Sequence, residues 1–569
     1  MQIKKKSTLK RIFSFSRHQV VLLIFLFLVL LLASRLFVLQ NNNVFLKSQG
    51  NMRTLRTVPI TSYRGMITDR NDEPLAISTV IYSVWTNPKK FLESDRFAKY
   101  LKEVSKVLKI KPNDLKEKLI SNKEKDFLYL KRHITPTKAM QLEDLGITEL
   151  SIKREYRRFY PEGEVTSHVV GFTDIDDSGQ EGLELSYNEW LHGKDGSKLI
   201  LKDRLGRQIK DLKEISPAKH GNKLTLSIDS GIQYLAYREL SKAVTKHKAK
   251  GGSIVVLDVN TGEVLAMVNK PSYNPNKRAR KVDDSYRNRA VTDLLEPGSV
   301  MKTFSMVNVL EHDKYPDDYM VDTYDGKMTL GENTIKDVSK NGIISIPQVL
   351  IKSSNIGISK LTLDLEDDES LYQLLYKLGF GQVASLEFPG ESSGILRNYP
   401  TWDPFMLSTL SFGYAMAATP LQVASAYAAL ANDGIKVPIT FIKQEKKSEG
   451  KRVISSKVAS LVTDVLSEVT EKGVHGRAKV KGYKVAGKTG TSKKIGAKGY
   501  ENRYQALFAG YGPSKCPKLA IVVMIDEPSS GQYYGSLVAA PVFSKVMSGA
   551  LRALDVVAGE HGCNKDTEQ

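Results

Sequence analysis

Ser299 and Lys302 stand three residues apart, behind a Pro297-Gly298 turn and ahead of an apolar run (Phe304, Met306, Val307, Val309, Leu310) whose period predicts a buried helix. On a helix that spacing puts both side chains on one face, so the amine can reach the hydroxyl. A serine hydroxyl is a weak nucleophile at neutral pH until a base takes its proton. A lysine is such a base when burial or a neighbouring cation favours its neutral form. The same spacing recurs at Ser7/Lys10 and Ser216/Lys219 with no chemistry around it, so the pair alone carries little. Two downstream elements set Ser299 apart. Ser353-Ser354-Asn355 opens a second helical run (Ile356, Ile358, Leu361), and Lys488-Thr489-Gly490-Thr491 closes the strand Tyr483-Lys484-Val485-Ala486-Gly487.

Together these residues make a coherent acyl-transfer set. Ser299 attacks a carbonyl while Lys302 accepts its proton. Ser353 relays a proton to the departing amine, and Asn355 orients the lysine and a substrate amide. Lys488 adds a cation that favours a neutral Lys302 and attracts a substrate carboxylate, to which Thr489 and Thr491 offer hydroxyls. Gly490 lets a ligand lie against a strand edge. The backbone N–H groups of Ser299 and Thr491 are candidates for the oxyanion hole. Other Ser-x-Asn triplets occur. Ser186-Tyr187-Asn188 and Ser272-Tyr273-Asn274 precede Ser299, and Ser339-Lys340-Asn341 leads into Gly342 and reads as a turn, the one remaining alternative to Ser353 and Asn355.

The scaffold around this set is read from the rest of the 569 residues, enough for two to four domains. The composition, 41% hydrophobic and 26% charged, is that of a globular protein. The +20 net charge is partly concentrated in Lys4, Lys5, Lys6, Lys10, Arg11 and Arg17 and elsewhere mixed with acids, which argues against nucleic acid as a partner. Residues 1–18 form a basic tail and 19–39 an apolar segment long enough for a bilayer core. With no small-x-small cleavage site after it, the segment reads as a retained single-pass anchor, with the N-terminus cytoplasmic and the bulk outside. Residues 40–220 read as an extended α+β module for spacing or docking, in which His168 is structural and Arg64, Arg157 and Arg158 tie loops together. Residues 221–555 carry strands at both ends and helices between, which predicts an α+β domain of one antiparallel sheet with an inserted helical subdomain. Residues 556–569 are a tail. Cys516 and Cys563 show no metal-ligand spacing and read as incidental, with a bridge in an oxidising compartment as the alternative.

Ser-x-x-Lys, Ser-x-Asn and Lys-Thr-Gly, in that order, form the set of penicillin-binding proteins and class A β-lactamases. The chain resembles the class B penicillin-binding proteins, in particular the division-specific transpeptidases of Gram-negative bacteria. The resemblance extends through Arg64-Gly65-Met66-Ile67-Thr68-Asp69-Arg70-Asn71, Arg158-Phe159-Tyr160-Pro161, Gly182-Leu183-Glu184, Pro271-Ser272-Tyr273-Asn274-Pro275-Asn276, Arg287-Asn288-Arg289, Ala418-Thr419-Pro420-Leu421-Gln422, Gly531-Gln532-Tyr533-Tyr534-Gly535 and Ala540-Pro541-Val542-Phe543. It implies a serine β-lactamase-like domain with a five-stranded sheet, behind a pedestal module. It implies a peptidoglycan D,D-transpeptidase in which Ser299 is acylated by a stem ending in D-Ala-D-Ala and an amine of a neighbouring stem accepts the acyl group. β-Lactams are implied as covalent inhibitors, no metal or organic cofactor is implied, and an FtsW-type glycosyltransferase and other division proteins are implied as partners. Elongation-specific relatives share the three motifs and stand as an alternative, as do a β-lactam sensor and a division scaffold. A β-lactamase would need a deacylation base, and no Glu-x-x-Leu-Asn element lies between Asn355 and Lys488.

Overall fold

The computed structural model describes residues 16–41, 43–203, 208–277, 283–384, 387–446, 448–473, 476–496 and 499–559. The chain divides into two compact units, one comprising the residues up to Ser62 with Lys194–Lys219, the other Tyr63–Gly193 with the residues from His220 onward.

The first unit begins with the helix Arg17–Asn41, whose 25 residues include none that is buried. It is long and apolar enough to cross a membrane, since about 20 residues already span 30 Å. The helix Asn43–Thr54 then leads into a three-stranded antiparallel sheet of Leu55–Ile60, Gly196–Lys202 and Gln208–Ser216.

In the second unit, residues 63–193 are built on the strand Pro74–Thr86, which pairs with Leu150–Phe159 and Leu128–Ile134. The helices Phe97–Leu108 and Pro112–Ile120 close over it, burying Leu101, Val104, Leu108, Leu115 and Leu119 with Phe91 and Leu130. The three motif arginines do tie loops together. Arg64 Nε and Arg158 Nε each donate to Glu184 at 2.6 Å, with all three side chains at most 2% exposed, and Arg157 reaches the Asn276 carbonyl. His168 is buried, bonds the Ser285 carbonyl at 2.8 Å and is pushed down to about 4 by burial, so it is a neutral structural side chain. This segment is joined to the rest of its unit through Ser230 N–H to Asp69, Tyr273 Oη to the Ser167 carbonyl and Gln233 to the Val165 carbonyl.

The remainder of the second unit is organised by a five-stranded antiparallel sheet. Its strands are β1 (Gly251–Asp258), β2 (Val264–Lys270), β3 (Ala486–Gly496), β4 (Gly499–Gly512) and β5 (Leu519–Asp526), in the spatial order β2-β1-β5-β4-β3. Successive side chains leave a strand on opposite faces. Ile254, Val256, Ile521 and Val523 therefore pack on helices α1 (Ser230–Lys246) and α5 (Ala540–Ala553). Val255, Leu257, Val522 and Met524 face the helical subdomain inserted between β2 and β3, in which α2 (Lys302–Glu311), α3 (Asn355–Asp364) and α4 (Pro420–Ala431) are central. With both faces covered, β1 and β5 are continuous apolar runs rather than alternating ones.

Three expectations differ from the structure. The run Leu224–Ile228, whose alternation predicts a strand, is one only over Leu224–Thr225, where it pairs in parallel with Ile67 and Thr68. The helical region expected between the strands, reaching to about 435, contains two small antiparallel pairs, the hairpin Lys327–Leu330 with Asn333–Lys336 and, enclosing it, Met320–Asp322 with Ile343–Ser345; Gly326 and Gly331, at φ 88° and 61°, lie before and within that hairpin in turns a helix would not accept. Cys516 is disulfide-bonded rather than incidental, and the chain's other cysteine, Cys563, lies outside the described residues.

Candidate active site

Ser299 sits half-exposed in a 3₁₀ turn, Gly298–Val300, directly before α2. The turn is clamped from below. Gly298 N–H donates to the Gly413 carbonyl at 3.0 Å, and Tyr427 Oη donates to the Val300 carbonyl at 2.9 Å. Gly413, at φ 86°, has no room for a side chain, since a Cβ would lie 2.2 Å from the Gly298 carbonyl oxygen.

Lys302, at the start of α2, is fully buried. Its amine was expected to reach Ser299, yet both of its hydrogen bonds among the described residues run to Ser353: to the carbonyl at 2.5 Å and to the hydroxyl at 3.2 Å. Lys488, 2% exposed on β3, donates to the same hydroxyl at 2.9 Å. Ser353 Oγ thus lies between two buried amines. The residue adopts a left-handed backbone, φ 55°, which is costly for a side chain with a Cβ, and both its oxygens meet the Lys302 amine. Burial, and then the Lys488 cation, hold the Lys302 amine well below its ordinary range, against a smaller opposing effect of Asp337. Burial alone lowers Lys488 to about 8. The neutral form that a serine-activating base needs is therefore favoured at Lys302 and the charged form at Lys488.

Asn355 opens α3 with its side-chain amide donated to the Lys336 carbonyl at 2.8 Å. Thr489, Gly490 and Thr491 lie on β3, the outer strand of the sheet, paired on one side with Phe508, Leu507 and Ala506. Thr491 Oγ1 accepts the Gly535 N–H at 2.9 Å, which leaves its O–H as a donor. Gly490 was expected to make room for a ligand. In the structure a Cβ there would lie 2.6 Å from the Pro297 carbonyl oxygen and 3.2 Å from Val300, so what its missing side chain admits is the turn that carries Ser299. A Cβ at Gly298 would lie 3.5 Å from the Thr491 carbonyl, which puts the peptide units of the two oxyanion candidates on adjacent segments.

Among the described residues, no rival Ser-x-Asn triplet bonds Lys302 or Lys488. Ser339 is exposed and Asn341 donates to Asp337; Ser272 bonds Lys270 and Glu164; Asn188 accepts from Arg64. Two carboxylates at the site carried no sequence signal. Glu296 lines a cavity of about 510 Å³ with Asn355, Thr409, Phe412, Tyr414 and Tyr500, accepts from the Ala415 N–H and the Tyr500 hydroxyl, and is raised by burial. Asp337 accepts from Ser354, Asn355 and Ile356, an arrangement no local spacing reports.

Residues 252–548 match the penicillin binding protein transpeptidase domain and residues 59–226 the penicillin-binding protein dimerisation domain. The chain is 40% identical to the probable peptidoglycan D,D-transpeptidase PbpC of Pseudomonas aeruginosa over 95% of each chain. It is 38% identical to the peptidoglycan D,D-transpeptidase FtsI of Escherichia coli K12, covering 90% of this chain and 87% of that one. Among solved structures it is similar to penicillin binding protein 3 of Mycobacterium tuberculosis complexed with aztreonam, with a TM-score of 0.68 and 27% identity over 88% of this chain and 98% of that one.

Proposed function

This chain belongs to the class B penicillin-binding proteins, and on that premise we propose the step that each residue of the site performs in peptidoglycan D,D-transpeptidation. The observation that carries the reading is the Ser353 hydroxyl held between Lys302, three residues after Ser299, and Lys488 on the outer strand β3.

Ser299 Oγ bonds to the carbonyl carbon of the penultimate D-Ala of a donor stem, and its proton goes to the neutral amine of Lys302. The oxygen of the tetrahedral adduct is received by the N–H groups of Ser299 and Thr491. As the C–N bond to the terminal D-Ala breaks, Ser353 passes the proton from Lys302 to the departing amine. Lys488 and the hydroxyls of Thr489 and Thr491 hold the donor carboxylate, and Asn355 holds the stem amide. An acceptor amine then attacks the Ser299 ester, the C–O bond breaks, and the proton returns to Ser299 as the new amide forms. β-Lactams acylate Ser299 by the first half of this sequence. Gly490 serves by letting the nucleophile's turn dock on β3.

The domain assignment that accompanies this reading is a tail at 1–18, an anchor at 19–39, a docking module at 40–220, the transpeptidase at 221–555 and a tail at 556–569. The basic residues before the apolar helix support a cytoplasmic N-terminus with the catalytic domain outside. The Cys516 disulfide supports that placement, since such bonds persist in oxidising compartments. Similarity to FtsI over most of the chain favours septal cross-linking, with an FtsW-type glycosyltransferase and division proteins as partners, over the elongation-specific alternative.

Intact-protein mass spectrometry with and without penicillin, followed by peptide mapping, tests the chemistry. A stable adduct on Ser299, lost in Ser299→Ala, is the expected result. Rapid drug turnover would point to a hydrolase, and no adduct on a folded protein would point to a scaffold.

A further inference from the structure

Asp337 comes directly after the strand Asn333–Lys336 and uses both carboxylate oxygens on the turn that carries Ser353. Oδ1 accepts the N–H groups of Asn355 at 2.6 Å and Ile356 at 3.0 Å, the first residues of α3; Oδ2 accepts the Ser354 hydroxyl at 2.6 Å and the Asn341 amide at 3.0 Å. A helix N-terminus presents unsatisfied N–H groups and a partial positive charge, so a carboxylate is well placed there. The Ser353–Asn355 turn is thus held at one end by Asp337 and at the other by Lys302, which grips the Ser353 carbonyl. Two charged side chains act on the Lys302 amine, Lys488 from β3 and Asp337 from the hairpin segment, and they act in opposite directions.

We propose that Asp337 is a positioning residue of the acylation step: its carboxylate fixes the Ser353–Asn355 turn over Lys302 and supplies the negative charge that opposes Lys488 at the base. The proposal rests on the reading of Lys302 as that base. Asp337 favours the ammonium form of Lys302, so removing its charge leaves Lys488 unopposed and Lys302 loses its proton at lower pH. The acid limb of the rate profile should then move to lower pH. A displaced turn slows the reaction but leaves the limb where it was, which separates electrostatic positioning from a purely structural role.

The test is the second-order rate of penicillin acylation as a function of pH, measured on the full chain in detergent. Asp337→Asn should slow acylation by about 10- to 100-fold, the range in which a misplacement near 1 Å falls, and should shift the acid limb downward. Asp337→Glu keeps the charge, so it should slow acylation with the limb in place. If Asp337→Asn does not fold cooperatively, Asp337→Ser, which still offers an oxygen to the helix N-terminus, takes its place. A native rate in the uncharged variant, a slowed rate with an unmoved limb, or the same limb shift in Asp337→Glu would each overturn the proposal. Labelling that survives Ser299→Ala would instead fail the acyl-enzyme reading itself, a result independent of any limb.

Discussion

Replacing Gly490 by Ala adds one methyl group at the seam between β3 and the nucleophile's turn. The new Cβ would lie 2.6 Å from the Pro297 carbonyl oxygen, 3.2 Å from Val300 Cγ1 and 3.4 Å from Leu507 Cβ. Ordinary contact begins near 3.4 Å, so the turn must retreat from β3 by about 0.4–0.8 Å. It cannot do so smoothly, because Gly298 is bonded to Gly413 and Val300 to Tyr427 behind it. Overpacking of this kind costs ~1–3 kcal/mol of stability, and a shift of that size at the nucleophile costs about 10- to 100-fold in rate. The assay is penicillin acylation followed by rapid quench and mass spectrometry, beside an unfolding curve. Gly487→Ala is the control. Its Cβ would meet the Ala509 carbonyl at 2.8 Å and the Phe508 ring, not the Ser299 turn, so it should lose stability and keep the acylation rate. Near-native acylation by Gly490→Ala, or equal losses in the two variants, would refute the argument that Gly490 exists to seat the Ser299 turn.

Acylation should rise with pH as Lys302 becomes neutral, well below the usual lysine range, and fall as pH passes about 8, where Lys488 loses the charge that holds the donor carboxylate; Lys488→Arg, charged throughout, should remove the descending limb from a stopped-flow profile. Glu184→Gln leaves Arg64 and Arg158 buried without their shared carboxylate and should cost ~3–5 kcal/mol in urea unfolding; a loss under about 1 kcal/mol would show that water replaces it. Thr491→Val strands the Gly535 N–H and should cost ~1–3 kcal/mol, while Thr491→Ser should restore native unfolding.

The features legible in the amino-acid order are short-range. The apolar run behind Lys302 makes a helix, the run over 19–39 makes another long enough for a bilayer, and the apolar stretches around residues 254–268 and 504–525 make strands of one sheet, because each depends on the period of neighbouring residues. The order of Ser299, Ser353 and Lys488 pointed to the chemistry for the same reason, as three local motifs. The partners of those residues were settled by packing. Lys302 bonds a residue 51 positions away rather than the serine one turn before it, and Lys488 bonds one 135 positions away. Asp337 enters the site only because the segment after a hairpin folds back onto the start of α3, Glu296, three residues before Ser299, meets Tyr500 only in the folded chain, and Gly490 proves to face a carbonyl rather than open space. Residues 63–193 share a unit with the catalytic sheet while residues 194–219 do not, a division written in long-range contacts. Helical and strand periods are properties of neighbours in the sequence, whereas the burial that depresses two lysines, and the charge that opposes one of them, exist only once the chain has closed around them.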